Sequence, residues 1–411
     1  MKVLWLCNIV LPDFSTEFGL KKNYAGGWMT GMLHQLKNCN DITIAVCTPI
    51  IDSQRAKDGI CDGYRYYSFS FGCNDYQEEV KERFKVILAD YKPDVIHIWG
   101  TEYPHTLEMV NACQEFNLLD KVVINIQGLV SVYAQHYYAG IPEQYRRIKS
   151  EGYHTLEWEY DDFVHRGKYE IEALRKVQHV IGRTDWDEAC ATRINSKIQY
   201  HFCNETLREE FYLNAGTWSY EGCEKHAVFI SQAGYPIKGF HYLLKTMPDV
   251  LKSYPDAHIY VGGYDITSPN QNGKIRPYGH YIRSLLEEYH LSGHITFLGK
   301  LDGQEMVAQY RRANVFVSPS SIENSSNSIQ EAVSIGCPVV ASYVGGTAHY
   351  VRSGENGYLY QSDAEYMLGF YIKKVFAQQE YRCKNQKMQA NKHSSRNLQT
   401  LLQVYNMLVE T

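Results

Sequence analysis

The chain has 411 residues, 44% of them hydrophobic and 21% charged, and a net charge of -5 at pH 7. That length fits about two domains, each able to bury its own core, and the slight acidity lacks the basic surplus that nucleic-acid binding brings. The 11 cysteines are scattered singly with no C-x-x-C pair, a usage that fits free thiols in a reducing cytoplasm better than a disulfide framework or a zinc site.

The opening run, Lys2 to Cys7, is short and soon broken by Asn8 and Pro12, so it reads as a strand and not as a signal peptide. No stretch reaches the ~18 apolar residues that cross a bilayer. Further β-rich runs at 42–47, 94–99, 121–126, 179–182 and 197–202 alternate with helical patterns. In the pattern that begins at Gly26, residues Trp28, Met29, Met32, Leu33 and Leu36 share one face. Such alternation implies right-handed βαβ units and a parallel sheet. Between 214 and 227 the periodicity fades, and it restarts with runs at 227–232, 258–263, 294–299, 315–320 and 338–342.

These runs predict an α/β protein of two Rossmann-like, doubly wound parallel-sheet domains facing a cleft. The first domain takes residues 1–207, a linker 208–226, and the second domain 227–385. A helix at 386–411 packs back toward the first. Ligands of such sheets bind outside the carboxyl ends of the strands, so the residues after each strand carry the most information.

The stretch Ile322–Ala341 parses as the end of a turn, a helix and a corner. Ser and Asn at 324–328 supply N-caps, and Gly336 stops the helix before Pro338. Ile329, Ala332 and Val333 form a core face; Asn327, Glu331 and Ser334 fall opposite, where they could simply be solvated. A second possibility uses the helix start as an anion site. Backbone N–H groups of Asn324, Ser325, Ser326 and Asn327, at the positive end of the helix dipole, suit a phosphate. Glu331 then accepts ribose hydroxyls, and Glu323 bonds the hydroxyls of a sugar on that phosphate. Together they suit a nucleotide-sugar.

The set Ser318-Pro319-Ser320, Glu323-x7-Glu331-Ala332, Gly336-Cys337-Pro338-Val339-Val340-Ala341-Ser342, Gly345-Gly346 and Gly354-x-x-Gly357 resembles the group 1 (family 4) retaining glycosyltransferases, two-domain enzymes of GT-B fold. The likeness runs through the second domain and is weaker in the first. It implies sugar transfer from a nucleotide donor, with a UDP-sugar favoured, without a metal or other cofactor, and with front-face retention of configuration. Lys238, in the turn that also holds Gly234, would neutralise the donor diphosphate, so Lys238 and Glu323 are the candidate catalytic pair. Many relatives carry an arginine where Gln232 and Ala233 stand, which leaves Lys238 and the helix start to carry that task.

In the same family, a glycine pair like Gly26-Gly27 faces the donor from the first domain. Gln127 stands where many relatives place a histidine; it can bond a sugar but cannot accept a proton. The acceptor would be a glycan or lipid-linked glycan in surface polysaccharide assembly. The basic residues Arg146, Arg147, Lys149, Arg166, Lys168, Arg175 and Lys176 could meet anionic lipid heads if they share a face, making a cytoplasmic protein peripheral at the membrane.

Other features read more plainly. His97 and Trp99 fit a packed strand end, although Trp99 could stack on a sugar ring. Asp185-Trp186-Asp187 reads as a helix cap after Thr184 and not as a metal site. The acidic run 157–162 reads as a wet helix face. Competing functions are a nucleotide-sugar epimerase, a phosphorylase, or a non-catalytic glycan-binding partner of a synthase complex.

Overall fold

A computed structural model describes residues 1–20, 26–51, 55–378 and 386–410. Residues 21–25 of the loop before Gly26 and the expected junction near residue 385 lie outside the described residues.

The chain forms two compact units. The first holds Met1–Val132, Asp162–Arg208 and Lys392–Thr411; the second holds Tyr133–Asp161 and Glu209–Asn391. The units therefore differ from the two consecutive domains expected from the sequence. Residues 133–161 join the second unit because their side chains find partners there: Tyr145 donates to Ser284 Oγ at 2.8 Å, and Tyr281 donates to the Gly140 carbonyl at 3.2 Å. Composition does not mark that excursion.

The first unit is built on eight strands: β1 (Lys2–Cys7), β2 (Thr43–Ile50), β3 (Gly59–Cys61), β4 (Tyr64–Ser70), β5 (Val95–Trp99), β6 (Val122–Asn125), β7 (His179–Gly182) and β8 (Gln199–Phe202). Their order is β3-β4-β2-β1-β5-β6-β7-β8. All pairs are parallel except β3 with β4, an antiparallel edge hairpin that departs from the all-parallel expectation. Period-2 alternation splits β1 between two cores: Leu4 and Leu6 face one, and Val3, Trp5 and Cys7 face the other. The second core also takes Leu401, Val404, Tyr405 and Leu408 from the closing helix Gln386–Glu410. Tyr405 Oη lies 2.9 Å from Trp5 Nε1 and 2.6 Å from His97 Nδ1, giving buried polar atoms their partners.

The second unit carries β9 (Ala227–Ile230), β10 (His258–Val261), β11 (Ile295–Phe297), β12 (Val315–Ser318), β13 (Val339–Ser342) and β14 (Gly357–Tyr360). Their order is β11-β10-β9-β12-β13-β14, parallel throughout. All four residues of β9, β12 and β13 are buried, as expected for strands covered by helices on both faces. Strand order reverses between β9 and β12, so the ligand crevice of this sheet lies beyond Ile230 and Ser318.

Candidate functional site

Two loops meet at that crevice. After β9 the chain turns through Ser231–Tyr235 and a short 3-10 turn, Pro236–Lys238, into the helix Phe240–Ser253. Gly239 joins turn to helix at φ 69°, and a Cβ there would stand 1.8 Å from the Pro319 carbonyl oxygen. Only glycine lets the two loops approach so closely. After β12 the chain runs through Pro319–Ser325, and the Ser326 hydroxyl caps the helix Asn327–Ile335 by accepting from the Ile329 N–H at 3.4 Å. That helix ends at Gly336 in the left-handed conformation. The loop beyond β13 supports the site from behind, where the Gly346 N–H donates to the Glu323 carbonyl at 3.0 Å.

At the centre Lys238 Nζ lies 2.7 Å from Glu323 Oε2, with Ser320 Oγ 3.3 Å from the same oxygen. Burial alone would lower the Lys238 pKa, but the Glu323 carboxylate and the neighbouring Tyr235 overcome it and push the ammonium up. The lysine stays cationic. The sequence thus placed two distant residues, Lys238 and Glu323, at one point, and the structure brings them together as an ion pair.

Glu331 is buried and not solvated, and Tyr310 donates to its Oε2 at 3.0 Å. The same hydroxyl lies 3.0 Å from the Ser328 carbonyl, tying the helix Asn327–Ile335 to the helix Gly303–Arg312. The simple face assignment fails because Tyr310 packs against the side that helical periodicity left outside. Ser334, assigned to that same outer face, is half-buried and donates to the Phe211 carbonyl at 3.3 Å.

Asn324 is fully buried and its N–H donates to Tyr133 Oη at 3.0 Å. Ser325 Oγ is 2.7 Å from Tyr350 Oη, and Gln330 Nε2 reaches both Ser325 Oγ and Asn327 Oδ1 at 3.4 Å. Burial first, and then the Glu323 charge, push the Tyr133 phenol up, so it remains a neutral O–H. Tyr133 and Tyr310 had no sequence signal, being two among 34 tyrosines. Gly234 faces open space: a Cβ there would meet no heavy atom within 4 Å. Lys238, Glu323, Ser326 and Gln232 line a cavity of about 20 Å³, room for one water. A hollow of about 530 Å³ lies among Thr217, Glu224, Arg311 and Arg312, but at the amino ends of these strands, where Arg312 is already paired with Glu224 at 2.6 Å.

The remaining candidates sit in the first unit. A Cβ on Gly26 would stand 2.6 Å from Ile9 Cδ1, and one on Gly27 2.8 Å from Arg208 Cδ, so both glycines serve close packing there. Gln127 Nε2 donates to Asn125 Oδ1 at 2.8 Å, and its carbonyl accepts from Arg183 at 3.0 Å. His97 and Trp99 are buried and stacked on each other at 4.3 Å. Asp187 closes a capping box with Thr184 on the helix Asp185–Ile194 and also accepts from Tyr200 at 2.5 Å. Among the described residues no group of three His, Cys, Asp or Glu side chains is placed to hold a metal ion, and no helix is long and apolar enough to cross a membrane.

Residues 222–393 match the family of glycosyl transferases group 1. This segment is therefore similar to the group 1 glycosyltransferases. It is 34% identical over 126 residues to a D-inositol 3-phosphate glycosyltransferase of Corynebacterium urealyticum, covering 30% of this chain and 28% of that protein. A phosphatidyl-myo-inositol mannosyltransferase of Mycobacterium tuberculosis is 26% identical over 140 residues, 34% of this chain and 33% of its own length. The matched segment therefore spans about a third of these relatives. Among solved structures, sucrose-phosphate synthase of Thermosynechococcus elongatus aligns over 99% of both chains with a TM-score of 0.70 at 18% identity. HepE of Anabaena, solved in complex with UDP-glucose, aligns over 100% of both with a TM-score of 0.65 at 12% identity. The chain accordingly has the two-domain GT-B fold that the resemblance implied.

Proposed function

We propose that this chain is a retaining, metal-independent glycosyltransferase that moves a sugar from a UDP-sugar to a glycan or lipid-linked acceptor in surface polysaccharide synthesis. The observation that carries it is the part-buried Lys238–Glu323 pair at the strand-order switch of the second sheet, beside the amides that precede a capped helix. The match of residues 222–393 to the group 1 family and the UDP-glucose held by HepE agree with it.

In this scheme the anomeric C–O bond to the diphosphate breaks and its electron pair stays with the leaving oxygen. The Lys238 ammonium and the amides of residues 324–327 meet the charge that develops there. The acceptor hydroxyl bonds the anomeric carbon from the same face, and its proton passes to the departing phosphate. Glu323 holds the sugar hydroxyls once the diphosphate draws Lys238 away, and Glu331 holds the ribose. A panel of UDP-, GDP- and ADP-sugars tests the scheme by thermal shift, since a ligand bound only by the folded chain raises its melting point. A rise with UDP-sugars is expected, followed by slow donor hydrolysis; no shift with any of them discards the assignment.

A further inference from the structure

Two groups that a diphosphate needs are engaged within the second unit. Lys238 is held by Glu323 at 2.7 Å, and the Asn324 N–H by Tyr133 Oη at 3.0 Å. While those two contacts stand, neither group can meet a diphosphate. Something has to move before a nucleotide can bind.

Tyr133 is the element built to do so. The segment that follows it is fixed at several other points. Tyr137 donates to Glu159, the Gly140 carbonyl accepts from Tyr281 at 3.2 Å, and Tyr145 reaches Ser284 at 2.8 Å. A Cβ on Gly140 would stand only 2.6 Å from His241 Nε2, so the strap lies tight against the helix Phe240–Ser253. The Tyr133 hydroxyl at its head accepts from the Asn324 amide, for which a phosphate oxygen, being charged, is the better acceptor.

Building on the donor-site assignment above, we propose that Tyr133 is a gating residue. Its hydroxyl occupies the place of a diphosphate oxygen at the Asn324 amide and leaves when the nucleotide enters. Binding exchanges a neutral acceptor for a charged one, and the lost phenol bond sets how tightly the nucleotide is held.

Calorimetric titration of the full chain with UDP, and with uridine as the phosphate-free control, tests this. Tyr133→Phe keeps the ring and removes the competitor, so UDP affinity should rise by roughly 2–10-fold, the worth of one neutral hydrogen bond, with uridine unaffected. Equal or weaker UDP binding by the variant, where wild type binds, overturns the gate and leaves the donor site standing. No binding of UDP, GDP or ADP by wild type removes the donor site itself. Hydrogen exchange on the wild-type chain gives a readout without mutation: on adding UDP, residues 129–137 should exchange faster while 324–331 slow. Protection of both segments would make Tyr133 a ligand contact and end the proposal.

Discussion

Lys238 and Glu323 satisfy one another at 2.7 Å, so under the proposed scheme each takes up its part only once that pair is broken. Lys238→Ala should lower turnover by about 10²–10³, comparable to losing one preorganised oxyanion donor; single-turnover kinetics with saturating donor measures it. Glu331→Ala should weaken donor binding by roughly 10–100-fold, the range for charged hydrogen bonds, and titration of the nucleotide reads it directly. Because Tyr310 also relies on Glu331, the conservative Glu331→Gln should keep the melting temperature near wild type while still losing donor affinity. Carboxylates and a lysine after strand ends could be picked from the sequence because few residue types do that chemistry. Tyr133 and Tyr310 could not, because a tyrosine used as a hydrogen-bonding partner looks like any tyrosine used for packing.

Between elements, the site depends on how closely two loops pack. Gly239→Ala places a methyl against the Pro319 carbonyl and strains a residue at φ 69°. It should cost roughly 2–4 kcal/mol, seen as a lower melting temperature together with weaker nucleotide binding. A second link ties the helix Pro104–Glu115 to the helix Glu78–Tyr91, where Glu108 accepts from the Gln77 N–H. Burial, with help from Glu78 and Glu79, pushes the Glu108 carboxyl from 4.5 up to about 7. The folded chain thus keeps a proton that the unfolded chain has released. That contribution to stability is full below about 4.5 and is lost as pH rises through 7. Melting temperature followed over that window should fall less steeply for Glu108→Gln than for wild type. Most strands were legible as apolar runs, but β3, β4 and β14 were not counted. The Asp62-Gly63 turn between the first two, with φ of 50° and 84°, was a hairpin signal present in the sequence.

At the scale of the molecule, activity should survive EDTA at undiminished rate, measured by release of the nucleoside diphosphate; strict metal dependence would reopen the role of Asp185 and Asp187. The tandem α/β pattern was plain, since two series of strands with helices between them admit few other folds. Where the chain passes between units was not plain. Passages at 132/133, 161/162, 208/209 and 391/392 depend on which partners side chains find, and hydrophobic periodicity carries no such information. Leu401, Val404, Tyr405 and Leu408 complete a core whose other walls come from residues between Val3 and Cys203. On the ribosome, then, the β1 side of the first unit waits as an uncovered apolar groove until the whole second unit has been translated.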